Sequence, residues 1–319
     1  MIFFRNTTDF DAGADSVVTL GKFDGLHRGH QLLIREVLRI GRDEGLKTVV
    51  FTFGVHPRAQ VAGRPQELLL TNEEKRERLE AQGIDMEVEF PFNDITSHMQ
   101  PRDFVREILA GKLRAKKVIV GTDFGFGYKR AGNVALLQEM SAECGFEVIV
   151  KKKLKTKEGL DISSSYIKDL LRLGHMEQVN GLLGYPFSIR GPVVQGNHYG
   201  RTFGMPTINQ VPPPEKLMPP NGVYVSRTLI DGVSYKSVTN IGVKPTIDGK
   251  YPKGAETHIH DFERDVYGQT VQVQLYSYAR PEMKFESKEQ LIAQMRRDSR
   301  SALDFWEDES HWIGTQSGR

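Results

Sequence analysis

Four short stretches of this chain carry residue types and spacings that could do phosphate chemistry. The first is LGKFDGLHRGH, Leu20–His30. Its glycines Gly21, Gly25 and Gly29 let backbone approach a ligand closely, and the helix expected to follow offers free N–H groups to an anion. Phe23 and Asp24 sit inside that turn. His27 and His30 flank the helix start, where two imidazoles suit a pyrophosphate that gains negative charge in a transition state. Isolated histidines at such a place would more often merely cap the helix and pack. The second stretch is ISSSYIK, Ile162–Lys168. Ser163, Ser164 and Ser165 present hydroxyls and backbone N–H groups together, as a phosphate cradle or as a simple helix cap.

The third stretch is RGPVVQGNHYGRTFGMPTIN, Arg190–Asn209. Gly191, Gly196, Gly200 and Gly204 could be ordinary turns of a β domain, with His198 and Arg201 between them. Pro206 pre-sets an extended segment whose Thr207 hydroxyl and Asn209 amide oxygen lie on one side, both hard ligands suited to Mg²⁺. The fourth is GAETHIHDFERDVYG, where Glu256, His258 and His260 share one strand face by period two. A third strong metal ligand is not apparent beside them, which argues against zinc.

These stretches need elements to hold them. Val17–Leu20, Thr48–Phe53, Lys117–Gly121 and Glu147–Lys151 read as buried strands. Helical spacing predicts Gln31–Glu44, Asn72–Gln82 (capped by Thr71 or Asn72), Pro101–Leu113 and Val134–Cys144 between them. Strands separated by helices mean an α/β unit with a mostly parallel sheet. Two helical pieces follow, Ser163–Leu173 and Met176–Leu183. Beyond about residue 184 Pro and Gly become dense and alternation takes over. Tyr224–Leu229, Ser234–Asn240, Glu256–Phe262 and Thr270–Tyr278 read as strands between turns at Asp231-Gly232 and Asp248-Gly249, which predicts an antiparallel barrel or sandwich. A last helix spans Lys288–Trp306. The expected domains are 1–183 and 184–319.

Composition removes several function classes. With 319 residues, 39% hydrophobic and 26% charged, the chain has material for two cores and is not disordered. Lys+Arg at 43 against Asp+Glu at 41 leaves +2, so no global field points to nucleic acid or a membrane surface. The single Cys144 can form no internal disulfide and no thiolate zinc site, which predicts a reducing cytoplasmic setting. MIFFRNTTDFDAGADS does not have the pattern of a signal peptide, and no stretch reaches the roughly 20 apolar residues of a membrane span. A P-loop and a GxGxxG fingerprint are both absent.

The string HRGH matches the HxGH signature of the nucleotidyltransferase superfamily, and its longer context resembles the opening of bacterial FAD synthases. ISSSYIK resembles the ISSTxIR form of that family, with Ser165 for Thr and Lys168 for Arg. VGTDFGFGYKRAGN (Val120–Asn133) resembles the loop that contacts the adenosine there, although some members have Asn where Asp123 stands. Read from residues alone, that string is also an ordinary strand-end loop. PTIN and ETH resemble riboflavin kinase, as do VTNIGVKPT, which contains Asn240, and ARPEMKF, which contains Arg280.

The resemblance covers nearly the whole chain. It implies a Rossmann-like nucleotidyltransferase domain followed by an antiparallel β-barrel kinase domain with a C-terminal helix. The activity it implies is phosphorylation of riboflavin to FMN by ATP, then adenylylation of FMN to FAD with release of pyrophosphate. Thr207 and Asn209 would then hold Mg²⁺–ATP, Glu256 would take the proton of the ribityl hydroxyl, and Arg280 would reach a phosphate or the flavin site. Riboflavin, FMN and ATP are the implied partners, without nucleic acid or membrane. The alternatives are a monofunctional enzyme with one degenerate site, or a nucleotide-sensing or RNA-binding regulator on the same folds. The charge of +2 argues against RNA. The basic run Lys151, Lys152, Lys153, Lys155 and Lys157 reads as a solvated strand end.

Overall fold

The computed structural model describes residues 1–53, 67–196, 204–243 and 253–307. The chain divides into two compact units, Met1–Ser163 and Ser164–Arg319. In the first unit a six-stranded sheet is built from β1 (Ile2–Arg5), β2 (Ser16–Leu20), β3 (Lys47–Phe53), β4 (Met86–Phe90), β5 (Ala115–Gly121) and, after a small ribbon of β6 (Gly125–Phe126) and β7 (Gly132–Asn133), β8 (Glu147–Lys151). The order is β1-β4-β3-β2-β5-β8, and every pair is parallel. From β2 the chain first moves toward β3 and later returns to β5 on the other side. Strand order thus reverses beside the C-terminal end of β2, where open α/β sheets leave a crevice for ligands.

Both sheet faces are covered, so the strands read as apolar runs rather than alternating ones. On one face Val18, Leu20, Val49, Phe51, Val88, Phe90, Val118 and Val120 form a core with Phe104, Val105, Ile108 and Leu137. Phe51 is at its centre, with the rings of Phe10, Phe53, Phe90 and Phe104 at 5.2–6.3 Å. Truncating it to Ala would cost about 3–5 kcal/mol. On the other face lies the helix Arg28–Glu44, burying Ile34, Val37, Ile40 and Gly41. A Cβ on Gly41 would fall 2.3 Å from the Thr48 methyl, so only glycine lets the helix lie this close.

All four expected strands and their helices are present, with two further strands. β1 and β4 escaped notice because one is short and the other, MEVEF, carries glutamates at buried positions. The helix expected over Pro101–Leu113 differs in kind. It begins as one α-turn, Pro101–Asp103, and continues as a π-helix over Phe104–Lys112. Its buried residues Phe104, Val105, Ile108 and Leu109 recur at spacings of four and five, which suits the wider turn.

The second unit opens with helices Ser164–Arg172 and Met176–Leu183. Its sheet is antiparallel, formed by β9 (Phe187–Pro192), β10 (Thr207–Gln210), β11 (Gly222–Ile230), β12 (Val233–Val243), β13 (Lys253–Ile259) and β14 (Thr270–Arg280). In the order β10-β13-β12-β11-β14-β9 the sheet curls until its ends meet. Val194 N–H donates to the Asn209 carbonyl at 2.8 Å, and the Gln210 amide donates to the Gly191 carbonyl at 2.9 Å. The result is the expected barrel. Asp231 (φ 50°) and Gly232 (φ 78°) make the tight β11–β12 turn, both left-handed as that hairpin requires. The turn expected at Asp248-Gly249 lies outside the described residues. β13 stops at Ile259 rather than Phe262, because the chain turns through Asp261 at φ 53°.

Alternation along β11 and β12 separates two environments. Ser226, Thr228, Ser237, Thr239 and Thr257 point to one face and form a buried hydroxyl ladder with links of 2.8–3.0 Å. On the opposite face Val223, Val225 and Val238 pack against Ala302 and Trp306 of the C-terminal helix Lys288–Glu307. The Met176–Leu183 helix is tied to the barrel through Asn180. Its amide donates to the Leu275 carbonyl at 2.9 Å and accepts from Phe187 N–H at 2.7 Å.

Candidate functional site

In the first unit the loop from β2 to the helix Arg28–Glu44 stands at the strand-order reversal. The helix starts earlier than its periodicity predicts, with His27 as N-cap residue and His30 in the first turn. His27 makes no side-chain capping bond. The plain capping role therefore fails for it. The two imidazoles stack instead, with centroids 3.7 Å apart and 21° between planes. Phe23 packs edge-on to His30 at 5.2 Å. Both Nδ1 atoms are buried and have no hydrogen-bond partner among the described residues.

Burial pushes His27 down to about 4. His30 is held well below its usual value by burial, then by the charges of His27 and Lys75. Both rings are therefore neutral at pH 7, and an arriving anion would raise both values again. Unpaired buried nitrogens beside a helix N-terminus are groups that an anion's oxygens or their protons could satisfy.

The loop that presents them is strained. Phe23 (φ 51°) and Leu26 (φ 36°) are non-glycine residues in the left-handed region, beside Gly25 at φ 81°. Such positions cost of order 1–3 kcal/mol each and persist only when surroundings hold them. Phe23 is fully buried and its ring lies over Gly21, leaving 3.3 Å to where a Cβ would stand there. Asp24 is buried as well, and its Oδ1 accepts from Leu69 N–H at 2.8 Å. Phe23 and Asp24 thus support the loop from within.

The other predicted pieces lie as follows. The Ile162 carbonyl sits 3.8 Å from a Cβ built on Gly29, so the segment ending at Ser163 reaches the helix start. Ser164 and Ser165 open the helix that begins the second unit. Asp123 follows β5 and pairs with Lys153 at 2.9 Å, and Lys153 also meets Asp161 at 3.4 Å. With Lys151 on Glu36 at 3.0 Å, the basic run is largely matched by acids.

In the second unit the pairing register sets several predicted residues in one line. Asn209 stands opposite Glu256, Glu256 opposite Asn240, Asn240 opposite Val223, and Val223 opposite Arg280. Five strands thus carry a single row, Asn209–Glu256–Asn240–Val223–Arg280, on the face where the C-terminal helix packs. At about 4.8 Å per strand, Arg280 is roughly 14 Å from Glu256. The Thr207 hydroxyl donates to Glu256 Oε1 at 2.9 Å. His258 contacts the Pro206 carbonyl through Nδ1 at 2.9 Å, fixing the entry to Thr207. His260 is brought down to about 4 by burial and then by His258.

Gly196 passes so close over Asn209 that a Cβ would fall 2.3 Å from its Nδ2. Gly191 gives its carbonyl to Gln210, and Gly204 turns at φ 71°. His198, Gly200 and Arg201 lie outside the described residues. The Arg280 guanidinium clasps Asp298 of the C-terminal helix at 2.9 and 2.6 Å. A cavity of about 260 Å³ opens beside this row, lined by Thr207, Asn209, Thr257, Phe262, Arg264 and Tyr267 among others. No group of three His, Cys, Asp or Glu with metal-holding geometry occurs among the described residues.

A parallel α/β unit with paired histidines at a helix start, followed by a barrel with a Thr–Glu pair beside a cavity, defines two phosphate-handling modules in one chain. Residues 10–166 match the family model described as FAD synthetase, and residues 183–306 match that of riboflavin kinase. The protein of Bacillus subtilis named bifunctional riboflavin kinase/FMN adenylyltransferase is 33% identical, over 92% of this chain and 93% of its own. Its Escherichia coli K12 namesake is 35% identical over 91% and 92%. A Streptococcus pneumoniae crystal structure, described as a macrolide-efflux protein, superposes with a TM-score of 0.82 at 32% identity, over 93% of this chain and 96% of that one. Among the described residues no helix is long and apolar enough to cross a membrane. The chain belongs to the family of bifunctional riboflavin kinase/FMN adenylyltransferases.

Sequence reasoning missed one feature of the first site. Lys75, Glu87 and Glu89 are buried together beneath the histidine loop. The charges at alternate positions of MEVEF were the available signal.

Proposed function

We propose that this chain carries out both reactions for which its family is named, each in its own unit. In the second unit the riboflavin 5′-hydroxyl attacks the γ-phosphorus of ATP, the bond to the bridging oxygen breaks, and FMN and ADP result. Glu256 takes the hydroxyl proton. The observation that carries this role is its place in the row, with Thr207 held to Oε1 at 2.9 Å and Asn209 and Asn240 on either side. ATP takes the cavity bordered by Thr207, Asn209 and residues 262–267. Gly191, Gly196, Gly204 and Pro206 shape the phosphate side. Riboflavin lies along the row toward Arg280, which fixes the C-terminal helix through Asp298.

The neutral oxygens of Thr207 and Asn209, beside the Glu256 carboxylate, fit a hard cation completed by nucleotide phosphates. Mg²⁺ bound there would neutralise charge on the transferring phosphoryl group. In the first unit the FMN phosphate attacks the α-phosphorus of ATP and pyrophosphate leaves. His27, His30 and the N–H groups at Gly29 receive that leaving charge. Gly21, Phe23, Asp24 and Gly25 hold the loop, while Asp123 and Ser163 border the nucleotide. A phosphate needs no strong base to attack, so donors matter more than acceptors here.

The single cysteine supports a reducing cytoplasmic setting, and the near-neutral charge supports small-molecule rather than nucleic-acid partners. We place the functional boundary at 183/184; the compact unit that holds the barrel begins earlier, at Ser164, and takes in the helices 164–183. The test is incubation with riboflavin, ATP and Mg²⁺, followed by chromatography. Successive appearance of FMN and FAD is expected. FMN alone means a monofunctional kinase, and neither product refutes the reading.

A further inference from the structure

On the sheet face covered by the helices Arg28–Glu44 and Asn72–Ala81 lies a charged cluster that touches neither reacting group. Glu87 and Glu89 alternate on β4 and are 0% and 2% exposed; Lys75, 3% exposed, reaches toward them from the second helix. Its ammonium is 3.7 Å from Glu87 and 4.0 Å from Glu89. Both Glu87 oxygens and Glu89 Oε1 have no hydrogen-bond partner among the described residues. Stability explains such a cluster poorly, because buried ion pairs with incomplete hydrogen bonding are often no better than apolar residues of the same volume.

What the cluster touches is the histidine loop. Lys75 Nζ donates to Thr52 Oγ1 at 3.4 Å, and the Thr52 hydroxyl donates to the Lys22 carbonyl at 3.3 Å. Lys22 opens the strained turn through Phe23 and Leu26. A second strut comes from the same segment, Leu69 N–H to Asp24 Oδ1 at 2.8 Å. Between the struts, Thr71 and Glu74 cap the Asn72–Ala81 helix reciprocally and hold its start. The residues from Leu69 to Lys75 thus grip the loop at two points. Lys75 also acts on His30 through its charge.

We propose that Lys75, Glu87 and Glu89 form a positioning cluster for adenylyl transfer, bracing the His27/His30 loop from below and setting the charge beneath it. This rests on the adenylyl-transfer reading of that site. Around the two carboxylates stand Lys75 and Arg76 from the helix Asn72–Ala81 and, through Lys75, His30 from the helix Arg28–Glu44; β3 sets Val50 opposite Glu87 and Thr52 opposite Glu89, and β1 sets Phe3 opposite Glu87 and Arg5 opposite Glu89. Burial raises the Glu87 carboxyl to about 7, with Lys75 opposing and Glu89 adding to the rise. Above that pH the cluster gains a negative charge directly below a site that takes anions.

The full chain is assayed for FAD formed from supplied FMN and ATP, with FMN formed from riboflavin as internal control. Lys75→Met should lower kcat for FAD by about 10- to 100-fold, the scale of a small misplacement of reacting groups, with little change in the KM for ATP. FMN formation should be unchanged. Glu87→Gln guards against a Lys75→Met chain that does not fold. Its FAD rate relative to wild type should be near one at pH 6 and rise through pH 7 to 8.5, because only the wild type acquires the buried charge. A folded Lys75→Met chain with the wild-type rate overturns the proposal, as does a ratio that stays flat with pH. A wild-type chain that makes no FAD refutes the underlying reading instead.

Discussion

Glu256→Gln isolates the proton-taking step from everything else the side chain does. Glutamine has the same shape and keeps an Oε1 acceptor, so the Thr207 hydroxyl can still donate to it across 2.9 Å. Neither Asn209 nor Asn240, the neighbours in register, has to move. The change in folding stability should therefore stay within about 1 kcal/mol, the net worth of one hydrogen bond. What is lost is the carboxylate's basicity and its charge. An alcohol is barely nucleophilic at neutral pH, and a positioned general base is worth about 10²- to 10⁴-fold, equivalent to about 2.7–5.4 kcal/mol of barrier. FMN formation should fall by that factor, read by chromatography with saturating riboflavin, ATP and Mg²⁺ and confirmed at matched melting temperature. FAD formation from supplied FMN should be unchanged, since its residues belong to the other unit. FMN formation within tenfold of wild type would remove Glu256 from the role of base. Loss of both activities in a folded chain would refute the division of labour between the units.

His27→Asn and His30→Asn should each lower FAD formation by about 10²- to 10³-fold, so that FMN accumulates in the coupled assay; wild-type rates in both would leave the histidines a packing role. Because His27 titrates at about 4 in the native chain against 6.5 unfolded, the unfolded chain alone binds the proton between those values. Stability should thus fall by about 3 kcal/mol as pH drops from 6.5 to 4, and denaturant titrations should show a smaller loss in His27→Asn. Calorimetry should detect no micromolar Mg²⁺ affinity without nucleotide, since Thr207 and Asn209 are neutral ligands. A fragment 164–307 should phosphorylate riboflavin and melt higher than 184–307, because the shorter piece loses both Asn180 bonds to the barrel; equal melting would remove those helices from the kinase unit.

How far the sequence reached depended on whether the information was local. The four strands β2, β3, β5 and β8 announce themselves as apolar runs because both sheet faces are covered. The barrel strands β11 to β14 announce themselves by alternation and by the Asp231-Gly232 turn. β10 was legible only as an extended PTIN segment, since its partner β13 lies nearly fifty residues away. Period two placed Thr207 with Asn209, and Glu256 with His258, but the row that joins Asn209, Glu256, Asn240 and Arg280 is a matter of register across five strands. No local pattern encodes it. Arg280 shows the consequence: the resemblance of ARPEMKF pointed it to a phosphate or the flavin site, and only the fold sets Asp298 within 2.6 Å of its guanidinium.

The histidine loop was legible in its chemistry and not in its mechanics. Three glycines and two histidines suggest an anion site, yet the strain falls on Phe23 and Leu26, residues with no intrinsic reason to adopt a positive φ. Such a conformation survives only if something distant holds it, and the holders are Leu69, Thr52 and, through Thr52, Lys75. Lys75 sits on a helix whose sequence, NEEKRERLEA, shows no apolar face and reads as wholly solvated. Its burial follows from Glu87 and Glu89 on β4, and theirs from it, so neither segment reveals the arrangement alone. Mutual burial of opposite charges is costly where hydrogen bonding is incomplete, as it is at Glu87 and Glu89. The alternating charges of MEVEF hint at a buried partner, but only the fold names Lys75 as that partner and ties it to the loop.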